Sequence, residues 1–429
     1  MEKKKLTNVI EEYFDRLWPI NRSIVSPGFR ESLDILSEII PFKRQTYKTG
    51  EKIFDWTVPK EWKVNKAYII DPNGKKRCDF EVNNLHLVSH SSSYRGELSL
   101  EKLKEYLHSY PELPNGVPYL TSFFDKRWGF CISDEELKSL PEGKYKIVVD
   151  TELYDGELTT ADYVLKGEYP NEIMFTSYLC HPSMANNELS GPLTLAFLYD
   201  RLKNLPNRKY SYRFVVMPET LGTICYLSKK FQEIKKNIIA GYVLTCLGLG
   251  NSFTYKCSRQ DNSRGDRLIK RLLKKNNTNK IIPFTPIAGS DERQFCSPGF
   301  DLPVGSLMRK RYLEYPEYHS SLDNKELISF DAIEGAVNFC MNIIDDFETN
   351  LIFKNTVMNG EPRLGNKGLY PKFSSNQYFD EKLNAILWIL NLSDGNHDIK
   401  DIEERTGYTQ KVLLEATSEL ERVKLLERI

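Results

Sequence analysis

Two histidines and a glutamate lie near apolar segments between residues 173 and 319 of this chain, and their types match the ligands and base of a metal-dependent hydrolase. His181 follows the apolar run 173–179, Glu219 follows the apolar run 212–217, and His319 lies in a polar loop before a helical pattern. Zinc binds mixed imidazole and carboxylate ligands while keeping one position open for water. A neighbouring carboxylate then takes a proton from that water. These residue types therefore indicate metal-assisted hydrolysis.

Each signal also has an ordinary structural explanation. A single loop histidine is commonly a satisfied structural residue, and a glutamate at the start of a helix interacts favourably with the helix dipole. Ser290 and Asp291 form a further polar cluster, and such a pair suits a helix cap. The joint occurrence of His181, Glu219 and His319 at the ends of predicted strands favours one shared site.

The segments around these residues predict an α/β domain. Between about residues 165 and 350, apolar runs alternate with segments of helical periodicity, which is typical of βαβ units in a mostly parallel sheet. We predict core strands at 173–179, 212–217, 242–247 and 302–307, and helices at 192–202, 220–231, 264–275 and 328–347. Ligand-binding residues of such sheets collect at the edge where strands end.

Composition excludes several function classes. The 429 residues carry 59 Lys and Arg against 59 Asp and Glu, so no bulk electrostatic attraction to nucleic acid or to an anionic membrane is implied. No apolar run is long enough to span a membrane, and the charged start does not resemble a signal peptide. Eight cysteines without a CxxC pair favour reduced thiols. We predict a soluble, cytoplasmic protein with no membrane partner.

The combined motifs resemble bacterial aminopeptidase-like proteins, relatives of the zinc-dependent exopeptidases that are often described with polysaccharide biosynthesis. The runs that carry the resemblance are CHPSMANNELSG at 180–191, PETLG at 218–222, GSDER at 289–293 and YPEYH at 315–319. Further matches are WPINR at 18–22, VPKEW at 58–62 and RWGFC at 127–131. Because the tail resembles a winged helix, the resemblance spans nearly the whole chain.

The resemblance implies three structural parts. They are a zinc-exopeptidase-like α/β domain with a mostly parallel sheet flanked by helices, an inserted antiparallel β module, and a C-terminal winged-helix-like domain. The predicted bounds are 1–45 and 160–355 for the α/β domain, 46–159 for the β-rich module and 375–429 for the C-terminal domain, after a polar linker at about 354–376. The module contains Trp56, Trp62 and Trp128, which in a small β domain are more often core than binding residues.

The same resemblance implies metal ligands at His181 and His319. In the zinc aminopeptidases a bridging aspartate follows the first histidine, and Asn187 stands at that position in this chain. The adjacent Glu188 is the predicted carboxylate ligand in its place. Glu219 matches a general base, although in a different register it is itself the carboxylate ligand.

Four further residues complete the predicted site. Asp291 and Asp323 match acids of the relatives that bind metal or support its ligands. Arg309 and Tyr318 are predicted to bind substrate, because they lie at the same sheet edge and Arg pairs well with carboxylates and phosphates. A solvated basic turn is the alternative interpretation of the segment around Arg309.

The number of metal ions follows from two departures from the relatives. The neutral amide of Asn187 is a poor bridge between two cations, and the segment CLGLG at 246–250 lacks an acid that the relatives carry. Two close Zn²⁺ ions need several negative charges to offset their repulsion. We predict one Zn²⁺ ion per chain in preference to two.

These observations predict an aminopeptidase-like hydrolase that cleaves a peptide or amide bond. An amidase or deacylase acting on an amino-sugar or cell-wall-type substrate is one alternative. A binding or scaffold protein that kept the fold after losing part of the metal site is the other. The count of intact metal ligands is the sequence feature that separates these alternatives.

The tail tests a different function class, DNA binding. The segment 398–422 has the pattern of a helix-turn-helix, but residues 376–429 carry eleven acidic and seven basic side chains. DNA-reading helices need basic residues for phosphate contact. We therefore predict that the C-terminal domain contacts a protein partner or a second copy of the chain, and not nucleic acid.

Overall fold

A computed structural model describes residues 5–370 and 381–429. Residues 1–4 and 371–380, which include parts of the predicted α/β domain, linker and C-terminal domain, lie outside the described residues. The chain divides into two compact units, Met1–Asn342 and Ile343–Ile429. Across the two described ranges, no helix is both long enough and apolar enough to cross a membrane.

The first unit contains a large mixed sheet and smaller sheets. Its strands are β1 (Lys43–Lys48), β2 (Lys52–Ile53), β3 (Trp56–Thr57), β4 (Glu61–Ile70), β5 (Lys76–Arg77), β6 (Tyr94–Ser99), β7 (Leu107–His108), β8 (Phe130–Cys131), β9 (Lys144–Tyr154), β10 (Glu157–Leu165), β11 (Glu172–Tyr178), β12 (Ser211–Met217), β13 (Ile238–Leu244), β14 (Thr254–Lys256), β15 (Lys280–Ile282) and β16 (Val304–Met308). Its helices are α1 (Leu6–Leu17), α2 (Pro27–Ser37), α3 (Leu100–Leu103), α4 (Asp134–Lys138), α5 (Ser190–Leu202), α6 (Leu221–Asn237), α7 (Arg264–Lys274) and α8 (Glu292–Phe295), and α9 (Phe330–Thr349) follows.

The eight-stranded sheet confirms the predicted α/β class. Its strand order is β1-β10-β12-β11-β13-β16-β14-β15. The pairs β11–β12, β11–β13, β13–β16 and β14–β15 are parallel, whereas the remaining three are antiparallel. Every residue of β11 and β12 is buried, because helices cover the central strands on both faces, and the strands are therefore mainly apolar.

Three predicted elements differ at their ends for physical reasons. Helix α6 continues to Asn237, past the predicted end at residue 231. The sequence pattern missed its last turns because they are polar, apart from the buried Ile234. Strand β13 therefore starts at Ile238, before the predicted residue 242. Helix α5 begins at Ser190, ahead of Pro192, because the first helical turn does not need the N–H that proline lacks.

The β-rich region between β1 and β10 contains a second sheet. Strands β5, β4, β9 and β6 pair antiparallel in that order. Its core includes the fully buried Trp62 and Phe130, and Trp128 stacks between the rings of Tyr94 and Tyr106 at 4.3 and 4.1 Å. Two of the three tryptophans thus serve packing, as predicted from their abundance in a small β module.

The second unit has the elements of a winged helix. Strands β17 (Ile352–Asn355), β18 (Asp394–Asp398) and β19 (Leu426–Arg428) form one antiparallel sheet, and the helices are α10 (Glu381–Leu392), α11 (Ile399–Thr406) and α12 (Gln410–Arg422). Asp398 and Asp401 form a capping box at the start of α11, and Gly407 ends this helix with φ +75°. Strand β17 lies at the end of the range predicted for the α/β domain, and its last two residues overlap the predicted linker, but it pairs with β18 and β19 of the second unit.

The packing of α5 on the sheet gives a first prediction. We expect Gly191→Ala to lower the free energy of unfolding by about 1–3 kcal/mol, because the added Cβ would overlap the Leu244 carbonyl oxygen and Ser177 Oγ. Urea unfolding followed by circular dichroism measures this change. Gly299→Ala is the control, because a Cβ there meets no atom within 4 Å and should change stability by no more than about 0.5 kcal/mol. Equal stability of the two variants would contradict the close α5–β13 contact.

Candidate active site

His181 lies just beyond the end of β11, and Glu188 fixes its orientation. The backbone N–H of His181 donates to Glu188 Oε1 at 3.0 Å, and ring Nδ1 lies 2.9 Å from Oε2. Both residues are buried, and Arg22 Nε donates to the His181 carbonyl at 3.2 Å. With Nδ1 held by Glu188, ring Nε2 is the nitrogen on the side of Glu219.

Glu188, which the sequence predicted as a metal ligand, lies behind His181. Its Oε1 accepts the backbone N–H of His181 and its Oε2 lies beside ring Nδ1. The residues 185–189 form a π-helical turn that returns the chain to His181 and produces this contact. Glu188 is therefore placed to orient His181, as carboxylates behind metal-binding histidines do.

Glu219 follows β12 and faces His181. Its Oε2 lies 3.9 Å from His181 Nε2, and its Oε1 accepts a hydrogen bond from Ser290 Oγ at 2.8 Å. The backbone N–H of Glu219 donates to Cys180 Sγ at 3.3 Å. Burial raises the pKa of the Glu219 carboxyl, although the neighbouring His181 and Ser290 oppose this effect.

Asp291 is a second buried carboxylate beside Glu219. Its Oδ1 accepts a hydrogen bond from the backbone N–H of Thr220 at 2.8 Å, and Thr220 has a left-handed backbone with φ +62°. Asp291 Oδ2 is buried without a partner among the described residues. Burial, and then the charge of Glu219, raises the pKa of Asp291. The sequence predicted this acid, and the structure brings it to the Glu219 loop.

His319 brings a second imidazole to the same region. Its ring centroid lies 5.4 Å from that of His181, and Tyr318 stacks on its other side at 3.9 Å. Its Nε2 is buried without a partner among the described residues. Burial, and then the charge of His181, lowers the pKa of His319 to about 3, so the ring is neutral at physiological pH. The backbone at His319 is left-handed, with φ +55°.

Asp323 and Asn187 organise the loop between the two histidines. Asp323 accepts hydrogen bonds from the N–H groups of Ala185, Asn186 and Asn187 at 3.2, 2.6 and 2.9 Å. The Asn187 side chain donates to the Tyr178 hydroxyl at 2.7 Å, while its Oδ1 has no partner among the described residues. In this geometry Asp323 holds the turn that carries Glu188, which corresponds to the supporting role among the two considered from sequence.

The two predicted substrate-binding residues fall in different places. Tyr318 lies at the site, because its ring stacks on His319. Arg309 instead donates to the carbonyls of Ala332 and Gly250, each at 3.1 Å, and its guanidinium lies over the ring of Phe253 at 4.3 Å. These contacts tie the guanidinium to neighbouring backbone, so the structure gives Arg309 a packing role.

Tyr119 of the β-rich region is a site residue that the sequence did not reveal. Its ring lies 5.1 Å from that of His181 and 5.4 Å from that of His319. Its backbone N–H donates to the His319 carbonyl at 2.8 Å, and Val117 and Ser321 exchange two further hydrogen bonds. The inserted region therefore forms one wall of the site and holds the strained His319 backbone. Only the tertiary fold brings these distant segments together.

A buried ion pair supports the Ser290 loop. Lys256 and Glu292 are both fully buried, with Nζ 2.7 Å from Oε1. Lys256 also donates to the Ala288 carbonyl at 3.0 Å, and both Glu292 oxygens accept the backbone N–H of Ser290. This pair fixes the turn from which Ser290 reaches Glu219, and the sequence motif gave no sign of the lysine.

The donor set fits one zinc ion by chemical type. His181 Nε2 and His319 Nε2 are imidazole nitrogens of the kind that a hydrolytic zinc site uses, and Glu219 Oε2, 3.9 Å from His181 Nε2, is a carboxylate oxygen that can serve as the base or as a further ligand. The buried, unpartnered Nε2 of His319 is the atom that most needs a ligand. Asn187 and the segment 246–250 supply no charge for a second ion. Among residues 5–370 and 381–429, no three His, Cys, Asp or Glu side chains are already gathered as a metal cluster.

The fold and this site define an aminopeptidase-like α/β protein with a C-terminal winged helix. The chain belongs to a family described as a domain of unknown function, DUF4910, whose model matches residues 11–350, and a winged helix-turn-helix model matches residues 351–428. A Clostridium acetobutylicum protein, provisionally described as a polysaccharide biosynthesis protein with an aminopeptidase-like domain, is 38% identical over 99% of this chain and 96% of its own.

Solved structures support the same fold. A crystal structure of a Clostridium acetobutylicum protein provisionally assigned as a peptidase has a TM-score of 0.82 at 36% identity, covering 99% of this chain and 97% of that one. A zinc aminopeptidase from Bacillus subtilis has a TM-score of 0.55 at 11% identity, covering 80% and 93%. A peptidase M28 precursor from Shewanella amazonensis has a TM-score of 0.57 at 11% identity, covering 80% and 92%. The last two similarities concern the fold alone.

The buried ion pair under the site gives a second prediction. We expect Lys256→Met to lower the free energy of unfolding by about 3–5 kcal/mol, because it leaves the Glu292 charge buried without its partner. Denaturant unfolding measures the loss, and the double variant Lys256→Met/Glu292→Gln should recover part of it. Lys75→Met, at an exposed lysine, is the control and should change stability by less than about 0.5 kcal/mol. A Lys256→Met variant as stable as the control would show that the pair does not support the loop.

Proposed function

We propose that this chain is a zinc-dependent hydrolase of peptide or amide bonds, with one ion per chain. The observation that carries the proposal is the meeting of His181, Glu219 and His319 at one sheet edge, with His319 Nε2 buried and unpartnered. The aminopeptidase-like family and fold support the same reaction class. A neutral buried imidazole with a free lone pair is the form that binds a metal.

His181 and His319 are the residues that would hold the ion, with Glu219 close enough to complete its surroundings. Glu188 fixes the His181 tautomer so that Nε2 faces the site. A bound zinc ion supplies Lewis acidity to the scissile carbonyl and makes water a stronger acid. Tyr119 and Tyr318 pack beside the two imidazoles and exclude bulk water from this space.

Glu219 is the proposed general base. Ser290 holds Oε1 at 2.8 Å, so Oε2 is the oxygen on the side of His181 and is free to accept a proton from the attacking water. The same oxygen then returns this proton to the departing amine. Asp291 fixes the backbone at Thr220 and so keeps the Glu219 side chain at the sheet edge.

The substrate class and setting are further parts of the proposal. The relative described with polysaccharide biosynthesis supports an amide-bearing substrate from that chemistry, cleaved as a peptide or as an amino-sugar amide. Eight buried free thiols support a reducing compartment, and we place the protein in the cytoplasm. The acidic C-terminal unit, with a partly exposed Trp388, suits contact with a protein or a second copy of the chain.

The test decides whether Glu219 acts as a general base or as a zinc ligand. In zinc-replete protein we expect about one equivalent of zinc by mass spectrometry and hydrolysis within a panel of aminoacyl anilides, dipeptides and N-acetylated amino sugars. Glu219→Gln should retain zinc and lose activity by about 10²–10⁴-fold, the scale of general-base catalysis. His319→Ala should lose zinc as well as activity.

His108→Ala, at an exposed histidine away from the site, is the control and should retain both zinc and activity. Loss of zinc from Glu219→Gln in proportion to activity would identify Glu219 as a ligand. Wild-type protein that binds no zinc under replete conditions would refute the proposed metal dependence.

A further inference from the structure

An aromatic cleft lies along α6, outside the histidine site. It has a volume of about 610 Å³ and is bounded by the β2–β3 hairpin, by α6 and by the segment that follows α8. Phe54 and Trp56 line it, and Phe124 contacts Trp56 with ring centroids 5.9 Å apart. These three side chains are 68%, 36% and 61% exposed. Grouped exposed aromatic rings on a protein surface mark a binding site more often than chance packing.

Phe54 occupies a backbone position that normally takes glycine. It is the first residue of the two-residue loop between β2 and β3, and its φ is +53°. Hairpin loops with a positive φ at this position favour glycine, and a bulky side chain there is a strained exception. The phenyl ring at this strained position lies on the surface, and its centroid is 5.8 Å from that of the Phe300 ring. Strained residues that persist at the surface indicate a functional demand.

The aromatic rings that line the cleft contact one another. Phe300 also contacts Phe231 of α6 at 4.8 Å, so rings from the hairpin, the helix and the loop form one continuous series with Phe54. Their free faces provide flat apolar surfaces on which the C–H faces of sugar rings stack. Because the rings meet at steep angles, the exposed parts of Phe54 and Trp56 offer separate apolar surfaces for stacking.

Polar groups lie between these rings. The polar residues that line the cleft are Asp55, Ser228, Gln232, Gln294 and Ser297. Carboxylates and primary amides each present two hydrogen-bonding atoms, which suits the adjacent hydroxyls of a sugar. The charge of Lys229 is balanced by Glu51 at 3.8 Å, so the cleft lacks the uncompensated positive charge that a phosphate would need.

We propose that this cleft binds a carbohydrate chain. Flat aromatic faces combined with carboxylate and amide groups recognise a neutral sugar, whereas a lipid or an apolar peptide would leave the polar residues unpaired. Two lining residues lie near the site residues in the chain, since Ile224 follows Glu219 by five residues and Gln294 follows Asp291 by three. A glycan seated here runs along α6.

The experiment measures carbohydrate binding by the full chain, without added metal and without an activity assay. A glycan array presents oligomers of N-acetylglucosamine, glucose, galactose, rhamnose and glucuronic acid, and titration calorimetry then gives Kd for the best oligomer. We expect at least one oligomer class to bind. Trp56→Ala and Phe54→Gly should each weaken this binding at least tenfold.

Two controls keep this test informative. Trp388→Ala truncates a tryptophan of similar exposure, 39%, in the second unit and should leave the affinity unchanged. Phe54→Gly relieves the strained φ, so its thermal unfolding midpoint should equal or exceed that of the wild type while binding is lost. A lower midpoint would show that Phe54 serves stability and would overturn its proposed role.

The remaining outcomes decide the proposal. Absence of binding to every oligomer class, or unchanged affinity in Trp56→Ala and Phe54→Gly, would overturn it. Preferential binding of an unglycosylated aromatic-rich peptide, competed by no oligosaccharide, would assign the cleft to peptides. Because no arm depends on zinc or hydrolysis, failure of the Glu219 proposal leaves this result interpretable, and the reverse also holds.

Discussion

The parallel pairing of β11 with β12 sets the geometry on which the candidate site depends. Tyr178 lies opposite Met217, so the residues that follow each strand emerge at the same level of the sheet. His181 and Glu219 therefore meet, with Nε2 and Oε2 3.9 Å apart, although they are distant in the chain. The fully buried strands resist a shift in register, because any slip would displace apolar side chains from the core. His181 and Glu219 are therefore held at a fixed separation by the strands that they follow.

Fixed surroundings also come from charges that the protein buries in pairs. Glu188 engages His181, and Lys256 with Glu292 holds the turn of Ser290. Removing water from such groups is costly, and it is tolerated where geometry satisfies every charge. The first pair holds the His181 ring in one orientation, and the second holds Ser290 where its Oγ donates to Glu219. Glu219 therefore lies between two groups whose positions are fixed by buried charges.

The sequence predicted the strands and the two histidines because each depends on local pattern. Continuous apolar runs identify β11 and β12, and polar residues just after them identify His181 and Glu219. The pattern does not show where a side chain turns, so Glu188 was predicted as a ligand although the π-helical turn directs it behind His181. Tyr119 carries no local signal at all, because its position follows from how the inserted region folds back.

The chain enters and leaves the β-rich region at neighbouring points. Strands β1 and β10 pair antiparallel, and the N–H of Thr49 donates to the Gly156 carbonyl at 2.9 Å. The region is therefore attached to the sheet at one place, and a short turn joining β1 to β10 would leave the pairing of these strands in place. The same shortening would remove Tyr119 and its contacts with His181 and His319. The region is thus separable from the hydrogen bonds of the sheet but not from the site that it helps to enclose.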